Sequence, residues 1–315
     1  MTKIMRAITQ YELGGPEVLK VVSVPRPAAG PVEVLVRVHA AGLNAADWKT
    51  RRRGGFLGDP PFTLGYDVSG TVEEVGPGVT LFQPGDEVFG MPRFPHEVGA
   101  YAEFVTAPTR HFARKPSSIS HVQAAALPLA SLTAWQALTA TAQVQPRERV
   151  LIHAAAGGVG HVAVQLAKSL GAYVIGTARA SKHDLLRELG ADEVIDYTQT
   201  LFEDVAHDVD VVIDPIGGDY ARRSLRTLRA GGRLVELTPI TDEELIADAR
   251  AEGLWAGFML VEPDHADLKH LADLVESGHL WPRVESVFPI EKAQMAHEAG
   301  ETGRTTGKLV LQIAD

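Results

Sequence analysis

The stretch HAAAGGVGHVAVQLAK, residues 153–168, combines a glycine-rich turn with a helical pattern. It overlaps the end of the run RVLIHAA, whose apolar composition is typical of a buried strand. Gly157 and Gly160 stand where a dinucleotide-binding turn needs small residues, and Ala155 takes the place of the first glycine. The helix that follows would offer N–H groups and a partial positive charge to a pyrophosphate.

The end of the next strand distinguishes the two nicotinamide coenzymes. A site for NAD usually carries an acid there, which binds the ribose hydroxyls. The segment GTARASK, residues 176–182, has no acid and carries Arg179, Ser181 and Lys182 instead, and Tyr197 follows the third strand. These groups suit a 2′-phosphate dianion, the alternative being that the cations are solvated loop residues. We therefore predict NADPH as the coenzyme.

For the middle of the chain we predict a sheet in which the ends of the strands meet at one edge. Six strand patterns there alternate with helical patterns, which indicates βαβ units and a parallel sheet covered on both faces. The spacing of Ser120 and Gln123 fits a capping box and predicts that a helix begins there. Later helices are predicted over residues 129–142, 158–170, 182–189, 219–229 and 242–251.

The rest of the chain has a different character. In PVEVLVRVHA apolar and polar residues alternate, and short strands separated by Gly and Pro turns favour a barrel or a sandwich. After about residue 262 a helix, a strand, a short helix and the strand KLVLQI follow. We predict that residues 1–122 and 262–315 form one domain and that residues 123–261 form a second domain inserted between them.

Composition narrows the class of function. The 315-residue chain has a net charge of −10, which argues against general nucleic-acid binding. It has no cysteine, so disulfides, thiolate nucleophiles and cysteine-bound zinc are excluded. The N-terminal segment lacks an apolar targeting core, and no stretch is long enough to span a membrane. A cytoplasmic protein that acts on a small molecule is expected.

The stretch VLIHAAAGGVGHVAVQLAKSLGA resembles the coenzyme loop of the quinone oxidoreductases, the zinc-independent branch of the medium-chain dehydrogenase/reductase superfamily. Arg147 is a departure, because the family usually has a small or polar turn residue there. The resemblance implies an α/β fold, with a GroES-like β-barrel domain and an inserted Rossmann domain built on a doubly wound parallel sheet. It also implies a homodimer or a homotetramer. Similar segments lie at residues 40–54, 65–79, 84–90 and 303–311.

The resemblance also shows which groups are missing. Zinc-dependent relatives bind their metal with a cysteine, a histidine in a Gly-His-Glu motif and a further ligand. Here the first position falls near Asn44, and the second reads Gly65-Tyr66-Asp67, so we expect no metal. Because nothing then stabilises the alkoxide of a simple alcohol, the expected hydride acceptor is a quinone or an α,β-unsaturated carbonyl compound. The alternative is a non-catalytic NADPH-binding protein of the same fold, acting as a redox sensor or a structural protein.

Two residues are candidates for catalysis. By resemblance, Asn44 lies near the nicotinamide and the substrate, where its amide orients the coenzyme or donates to the oxyanion; the alternative is an asparagine that only forms a turn. Tyr66 takes the lost ligand position, where its phenol either donates to an enolate or fills the space. Asp47 is expected to cap a helix or to pair with Arg51, and RRRGG at residues 51–55 to be a solvated loop.

Further coenzyme contacts are predicted at strand ends, where such sheets bind ligands. Thr133 matches a threonine that the family places near the nicotinamide ribose phosphate, the alternative being a helical threonine bonded to its own backbone. Lys308 lies near the same cleft in the family, or else faces solvent. The complete predicted set is Asn44, Thr133, Ala156, Gly157, Gly158, Val159, Gly160, Thr177, Arg179, Ser181, Lys182, Tyr197, Pro215, Ile216, Thr238, Pro239, Leu260 and Lys308.

Overall fold

The computed structural model describes residues 3–239 and 242–314. The chain divides into two compact units, one of residues 1–132 and 262–315 and the other of residues 133–261. The sequence placed the first boundary earlier, between residues 122 and 123. The helical segment that follows this point packs in the first unit, because Ala125 and Ala126 share a hydrophobic cluster with Ala40 and Val310.

The N-terminal part of the first unit consists mostly of strands. They are β1 (Ile4–Gln10), β2 (Lys20–Pro25), β3 (Glu33–Gly42), β4 (Phe62–Thr63), β5 (Asp67–Val75), β6 (Glu87–Gly90), β7 (Phe104–Pro108) and β8 (Phe112–Arg114), with helices α1 (Ala45–Arg53) and α2 (His121–Ala125). Val34, Val36 and Val38 of β3 lie in the core, as the two-residue period predicts. The Ser120 side chain accepts a hydrogen bond from the backbone of Gln123 at the start of α2, which confirms the capping box.

The second unit is built on a six-stranded parallel sheet. Its strands are β9 (Arg149–Ile152), β10 (Tyr173–Ala178), β11 (Glu193–Asp196), β12 (Val209–Asp214), β13 (Leu228–Glu236) and β14 (Trp255–Phe258). Helix α3 (Pro128–Gln136) contains the boundary between the units, and the helices α4 (Gly160–Ser169), α5 (His183–Glu188), α6 (Asp219–Leu225) and α7 (Glu243–Ala251) follow it. The strand order is β11-β10-β9-β12-β13-β14, which is the doubly wound order of a dinucleotide-binding sheet. All the carboxyl ends therefore meet at one edge.

Of two helix predictions for this region, one was too long. The helix predicted over residues 219–229 ends at Leu225, because Leu228 already pairs with Val209 on the neighbouring strand. The helix predicted over residues 129–142 is confirmed to within one residue, as α-helix to Gln136 and π-helix over Ala137–Thr141.

The C-terminal segment completes the first unit. It contains α8 (His265–Glu276), β15 (Val284–Pro289), α9 (Ala293–Glu301) and β16 (Lys308–Gln312). β16 lies between β15 and β3 in a sheet of order β15-β16-β3-β5-β6-β8, with β7 also paired to β3, and a second sheet has the order β2-β1-β4. The C-terminal strands β15 and β16 thus share a sheet with β3 from the N-terminal part of the chain. In the part of the chain that the structure describes, no helix has the length and apolar composition needed to cross a membrane.

Candidate functional site

The glycine turn lies between β9 and α4 in the second unit. Gly157 donates a backbone hydrogen bond of 2.8 Å to Ala154, which closes the turn. A Cβ atom at Gly160 would lie 2.4 Å from the carbonyl oxygen of Ala154 and 2.7 Å from Cα of Ala155. Only glycine fits this position, because the first turn of α4 packs directly on the end of β9. The N–H groups of His161 and Val162 bond to the carbonyls of Gly157 and Val159. A helix that begins at such a turn can present its remaining N–H groups to a phosphate.

The predicted 2′-phosphate residues lie beyond the ends of β10 and β11. Ala178 and Asp196 are paired at these strand ends, so Arg179 and Tyr197 follow side by side. Nε of Arg179 donates a hydrogen bond of 3.1 Å to the Tyr197 hydroxyl, and both side chains are exposed. The sequence did not single out Asp196, whose Oδ1 accepts hydrogen bonds from Thr198.

Ser181 and Lys182 follow Arg179 in a short 3-10 turn. This turn of Ala180–Lys182 leads directly into α5, so Ser181 is exposed and Lys182 is half-buried beside Arg179. Arg179, Ser181, Lys182 and Tyr197 thus form a small polar group at one corner of the sheet, which fits a phosphate monoester. Their contacts with a coenzyme stay a prediction.

The other predicted contacts also cluster at the carboxyl edge of the sheet. Pro215 and Ile216 follow β12, Thr238 and Pro239 follow β13, and Leu260 comes shortly after β14. Their contacts with a coenzyme stay predictions. Thr177 has a different environment, because its hydroxyl lies 3.2 Å from Nδ1 of the buried His153. Thr133 at the start of the second unit is also buried.

A second group of predicted residues meets inside the first unit. Asn44 precedes α1, while Asp67 and Lys308 begin β5 and β16, the two strands paired with β3 at Gly42. The Lys308 ammonium donates to Oδ1 of Asn44 and lies 3.3 Å from Oδ2 of Asp67. Asn44 donates from Nδ2 to the same Asp67 oxygen at 2.9 Å, and all three side chains are buried. Of the two alternatives for Lys308, the solvent-facing one is therefore wrong, and its contact with a coenzyme stays a prediction.

The Asp67 carboxylate is fixed on both oxygens. Its Oδ1 accepts the backbone N–H of Leu129 at 2.8 Å, while Oδ2 faces Asn44 and Lys308. Burial raises the pKa of Asp67, and the Lys308 ammonium opposes that rise. A single cation thus holds a buried carboxylate and a carboxamide in one orientation. The sequence named Asp67 only as part of the lost metal motif, since its partner lies far away in the chain.

Asp47 caps α1, as one of the two alternatives predicted. Its Oδ2 accepts the backbone N–H of Asn44 at 2.7 Å. It does not pair with Arg51, which is fully buried and donates to Glu301 at 2.8 Å and to the carbonyl of Gly14. The prediction of a solvated loop at residues 51–55 is also wrong, because α1 extends to Arg53.

Three oxygens near the start of α1 are buried without a hydrogen-bond partner among the residues described: Oδ1 of Asp47 and the hydroxyls of Tyr66 and Tyr101. Burial, followed by the negative charge of Asp67, raises the pKa of Asp47 to about 7. Burial and the charge of Asp47 raise the pKa values of Tyr66 and Tyr101. The first unit therefore holds a carboxyl group and two phenols that keep their protons near neutral pH. The sequence missed Tyr101, which carries no local motif.

The variant Asp47→Asn will be more stable than the wild type at alkaline pH. The pKa of Asp47 is raised on folding, so its stabilising contribution is complete below the unfolded pKa and is lost as the pH rises through about 7. Asparagine keeps the acceptor for Asn44 but does not ionise. The gain in unfolding free energy should be about 4 kcal/mol near pH 9, about 1–2 kcal/mol near pH 5 and close to zero only near pH 3, measured by urea unfolding. Substitution of the exposed Asp59 by Asn serves as the control. An Asp47→Asn protein that is less stable than wild type near both pH 5 and pH 9 would contradict this account.

Two family models match the chain. The one described as an alcohol dehydrogenase GroES-like domain matches residues 30–117, and the one described as a zinc-binding dehydrogenase matches residues 189–311. Quinone oxidoreductase of Rattus norvegicus is 35% identical, over 99% of this chain and 98% of its own length. The chain belongs to the quinone oxidoreductase family. This confirms the predicted family, its α/β fold and its GroES-like and Rossmann domains, and the family assignment makes the protein an NAD(P)H oxidoreductase.

Other relatives of the quinone oxidoreductase family extend the comparison. The chloroplastic NADPH-dependent alkenal/one oxidoreductase of Arabidopsis thaliana is 35% identical over 98% of this chain and 80% of its own length. The structure of a quinone oxidoreductase from Coxiella burnetii superposes with a TM-score of 0.94 at 40% identity, over 99% of this chain and 100% of that chain. That of the Escherichia coli quinone oxidoreductase complexed with NADPH has a TM-score of 0.89 at 31% identity, over 98% of this chain and 100% of that chain.

The residues at the positions of the zinc ligands do not fit a zinc ion. Tyr66 offers a phenol that burial keeps protonated, and the chain has no cysteine. The oxygens of Asn44 and Asp67 both face the Lys308 ammonium, whose positive charge would repel a divalent cation. Across residues 3–239 and 242–314, no group of three or more His, Asp or Glu side chains has a geometry for binding a metal.

Proposed function

We propose that this member of the quinone oxidoreductase family transfers hydride from C4 of NADPH to a quinone or an α,β-unsaturated carbonyl compound. The choice of NADPH depends on one observation, the pair of Arg179 and Tyr197 beyond the ends of β10 and β11. A guanidinium and a phenol in this place bind a phosphate monoester, and no acid stands at the end of β10 to bind a free ribose hydroxyl. The NADPH in the Escherichia coli relative supports the same choice.

The second unit has the groups needed to bind the coenzyme. The N–H groups at the start of α4 bind the pyrophosphate, since Gly157 and Gly160 allow the backbone to come close. Arg179, with Ser181 and Lys182 behind it, binds the 2′-phosphate. NADPH, once bound, supplies the hydride, while the protein supplies position and charge stabilisation.

Asn44 provides a donor for the substrate oxygen, which becomes negative as hydride arrives. Its amide orientation is fixed, because Oδ1 accepts from Lys308 and Nδ2 donates to Asp67. An amide nitrogen carries two hydrogens, so one N–H of Asn44 is left to donate to the developing oxyanion. The Lys308 ammonium polarises this amide and strengthens it as a donor.

Reduction of an unsaturated carbonyl compound also consumes a proton. Hydride addition at the β-carbon leaves an enolate, which must be protonated to give the saturated product. Asp47 and Tyr66 hold protons at neutral pH in the same buried region as Asn44. We assign them as the source of this proton, which gives the Tyr66 phenol the donor role rather than that of filling space.

A steady-state assay tests this function. The purified protein is mixed with NADPH and either a naphthoquinone or an α,β-unsaturated ketone, and loss of the reduced nicotinamide absorbance is followed. We expect turnover with at least one acceptor and slower turnover with NADH. Binding of NADPH without turnover across both acceptor classes would instead favour the non-catalytic sensor or structural role.

A further inference from the structure

Two carboxyl groups lie side by side at the carboxyl edge of the parallel sheet in the second unit. Asp214 is the last residue of β12 and Glu236 is the last residue of β13, and the two are direct partners in the pairing of these strands. Neighbouring strands are about 4.8 Å apart, and residues paired in register point to the same face. The two side chains are therefore adjacent.

Both carboxyls are shielded from solvent, since Asp214 is 0% and Glu236 is 2% exposed. Oδ1 of Asp214 accepts the backbone N–H groups of Ile216 at 2.8 Å and of Gly217 at 3.1 Å, which shapes the turn after β12. Oδ2 of Asp214 and Oε1 of Glu236 are buried and have no partner within the described ranges. Each carboxyl thus has one buried oxygen that no hydrogen bond within the described ranges satisfies.

Among the residues that the structure describes, no cation pairs with either carboxyl. His153, which follows β9 beside Asp214, is buried and neutral, because burial and the charge of Arg223 lower its pKa to about 3. Asp242, the N-cap of α7, adds another negative charge. Arg222 of α6 is paired with Asp242 at 2.6 Å and with Asp248 at 2.7 Å. Tyr220 of α6 faces Asp214 with a neutral phenol whose pKa burial raises, and β14 consists of Trp255–Phe258, which do not titrate. Two adjacent buried carboxylates without a cation cannot both be ionised at low cost. Burial and the charges of Asp214 and Asp242 accordingly raise the pKa of Glu236 to about 7, and burial raises that of Asp214.

We infer that Asp214 and Glu236 share one proton at neutral pH and that Glu236, through this proton, is a positioning residue for the turn Asp214–Gly217 that borders the coenzyme. The step is a proton held between two oxygens, with Glu236 as donor and Oδ2 of Asp214 as acceptor. Aspartic dyads elsewhere share a proton for the same electrostatic reason. The inference rests on the proposed function, because only a bound coenzyme makes the position of this turn matter.

The loops beyond the two strands are in direct contact. A Cβ atom at Gly217 would lie 2.4 Å from the Thr238 hydroxyl and 3.4 Å from Oε2 of Glu236, so the turn after β12 packs on the segment after β13. When the shared proton is lost, Asp214 and Glu236 are both negatively charged next to this contact. Their repulsion pushes the turn after β12 away from the segment after β13. Because NADPH is itself an anion, its affinity should fall as the pair ionises, and binding should favour the protonated pair.

Coenzyme affinity as a function of pH tests the inference. The dissociation constant of NADPH is measured by fluorescence for wild type, Glu236→Gln and the exposed control Glu244→Gln. Between about pH 7 and pH 9 the 2′-phosphate is already dianionic, so its own ionisation adds little. We expect wild type and Glu244→Gln to bind about tenfold more weakly at the higher pH. Glu236→Gln, whose neutral amide can still donate to Asp214, should bind with an affinity that changes little over this range.

Two results would overturn the inference: a Glu236→Gln protein that keeps the pH dependence of wild type, or one that binds NADPH equally weakly at every pH. Thermal unfolding separates this failure from failure of the proposed function. Because the pKa of Glu236 is raised on folding, wild type loses more stability than Glu236→Gln as the pH rises through about 7. Asp47 accounts for the loss that the variant keeps. If wild type bound no NADPH at all, the proposed function would fail, while a higher melting temperature of Glu236→Gln at alkaline pH alone would still support the shared proton.

Discussion

Lys308→Met is expected to lower the free energy of unfolding by about 3–5 kcal/mol at neutral pH, because it leaves Asp67 buried without its cation. The Lys308 ammonium is the positively charged group within hydrogen-bond distance of the buried Asp67 carboxylate. Removing it forces Asp67 either to stay charged in an apolar environment or to take up a proton. The loss, measured by urea unfolding, should shrink as the pH falls, since protonation then becomes easier.

Two further variants make this experiment specific. Lys308→Met combined with Asp67→Asn removes both charges and should recover a large part of the lost stability, which a general packing defect would not allow. Lys269→Met removes a lysine paired with Asp273 on the exposed face of α8 and should change stability by less than about 1 kcal/mol. A Lys308→Met protein as stable as wild type at neutral pH would contradict the claim that Lys308 compensates the buried charge of Asp67.

Arg179→Ala is expected to weaken NADPH binding about 100-fold while it changes NADH binding little. Hydrogen bonds between an ionised donor and an ionised acceptor contribute about 1.5–3 kcal/mol each, and Arg179 has no other anionic partner within hydrogen-bond distance in the described structure. The measurement is a pair of dissociation constants for the two reduced coenzymes. The ratio between them, rather than either constant alone, reports the 2′-phosphate contact.

A matched control for this variant lies on the next helix. Arg187 is exposed and pairs with Asp184 at 3.0 Å, so Arg187→Ala removes the same charge from the same region without touching the phosphate site. It should leave the NADPH to NADH ratio within about threefold of wild type, because a distant exposed charge is screened by salt. If Arg179→Ala weakens the binding of NADPH and NADH equally, Arg179 shapes the loop and does not bind the 2′-phosphate.

Those parts of the fold that depend on local sequence patterns could be predicted from the sequence. Alternating strands and helices specify a parallel sheet. The glycine turn after RVLIHAA marks a strand–helix junction where the backbone comes close, as the contact at Gly160 explains. Errors arose where tertiary pairing overrides local preference. Leu228 has a helical neighbourhood in the sequence, yet it pairs with Val209 and starts a strand.

The buried polar residues of the first unit could not be placed from the sequence for a different reason. Arg51 stands in a run of three arginines that resembles a solvated surface, but its partners His297 and Glu301 lie about 250 residues away in the chain. Lys308 and Asp67 are 241 residues apart. Charges that find such distant partners leave no local pattern, so only the three-dimensional pairing of β3 with β5 and β16 reveals them.

The most direct measurement of the central claim is a calorimetric titration of the wild-type protein with NADPH and, separately, with NADH. The account places the pyrophosphate on the amides at the start of α4 and the 2′-phosphate on Arg179. We therefore expect heat of binding with both coenzymes and a lower dissociation constant for NADPH than for NADH. Absence of heat with either reduced coenzyme would contradict the account.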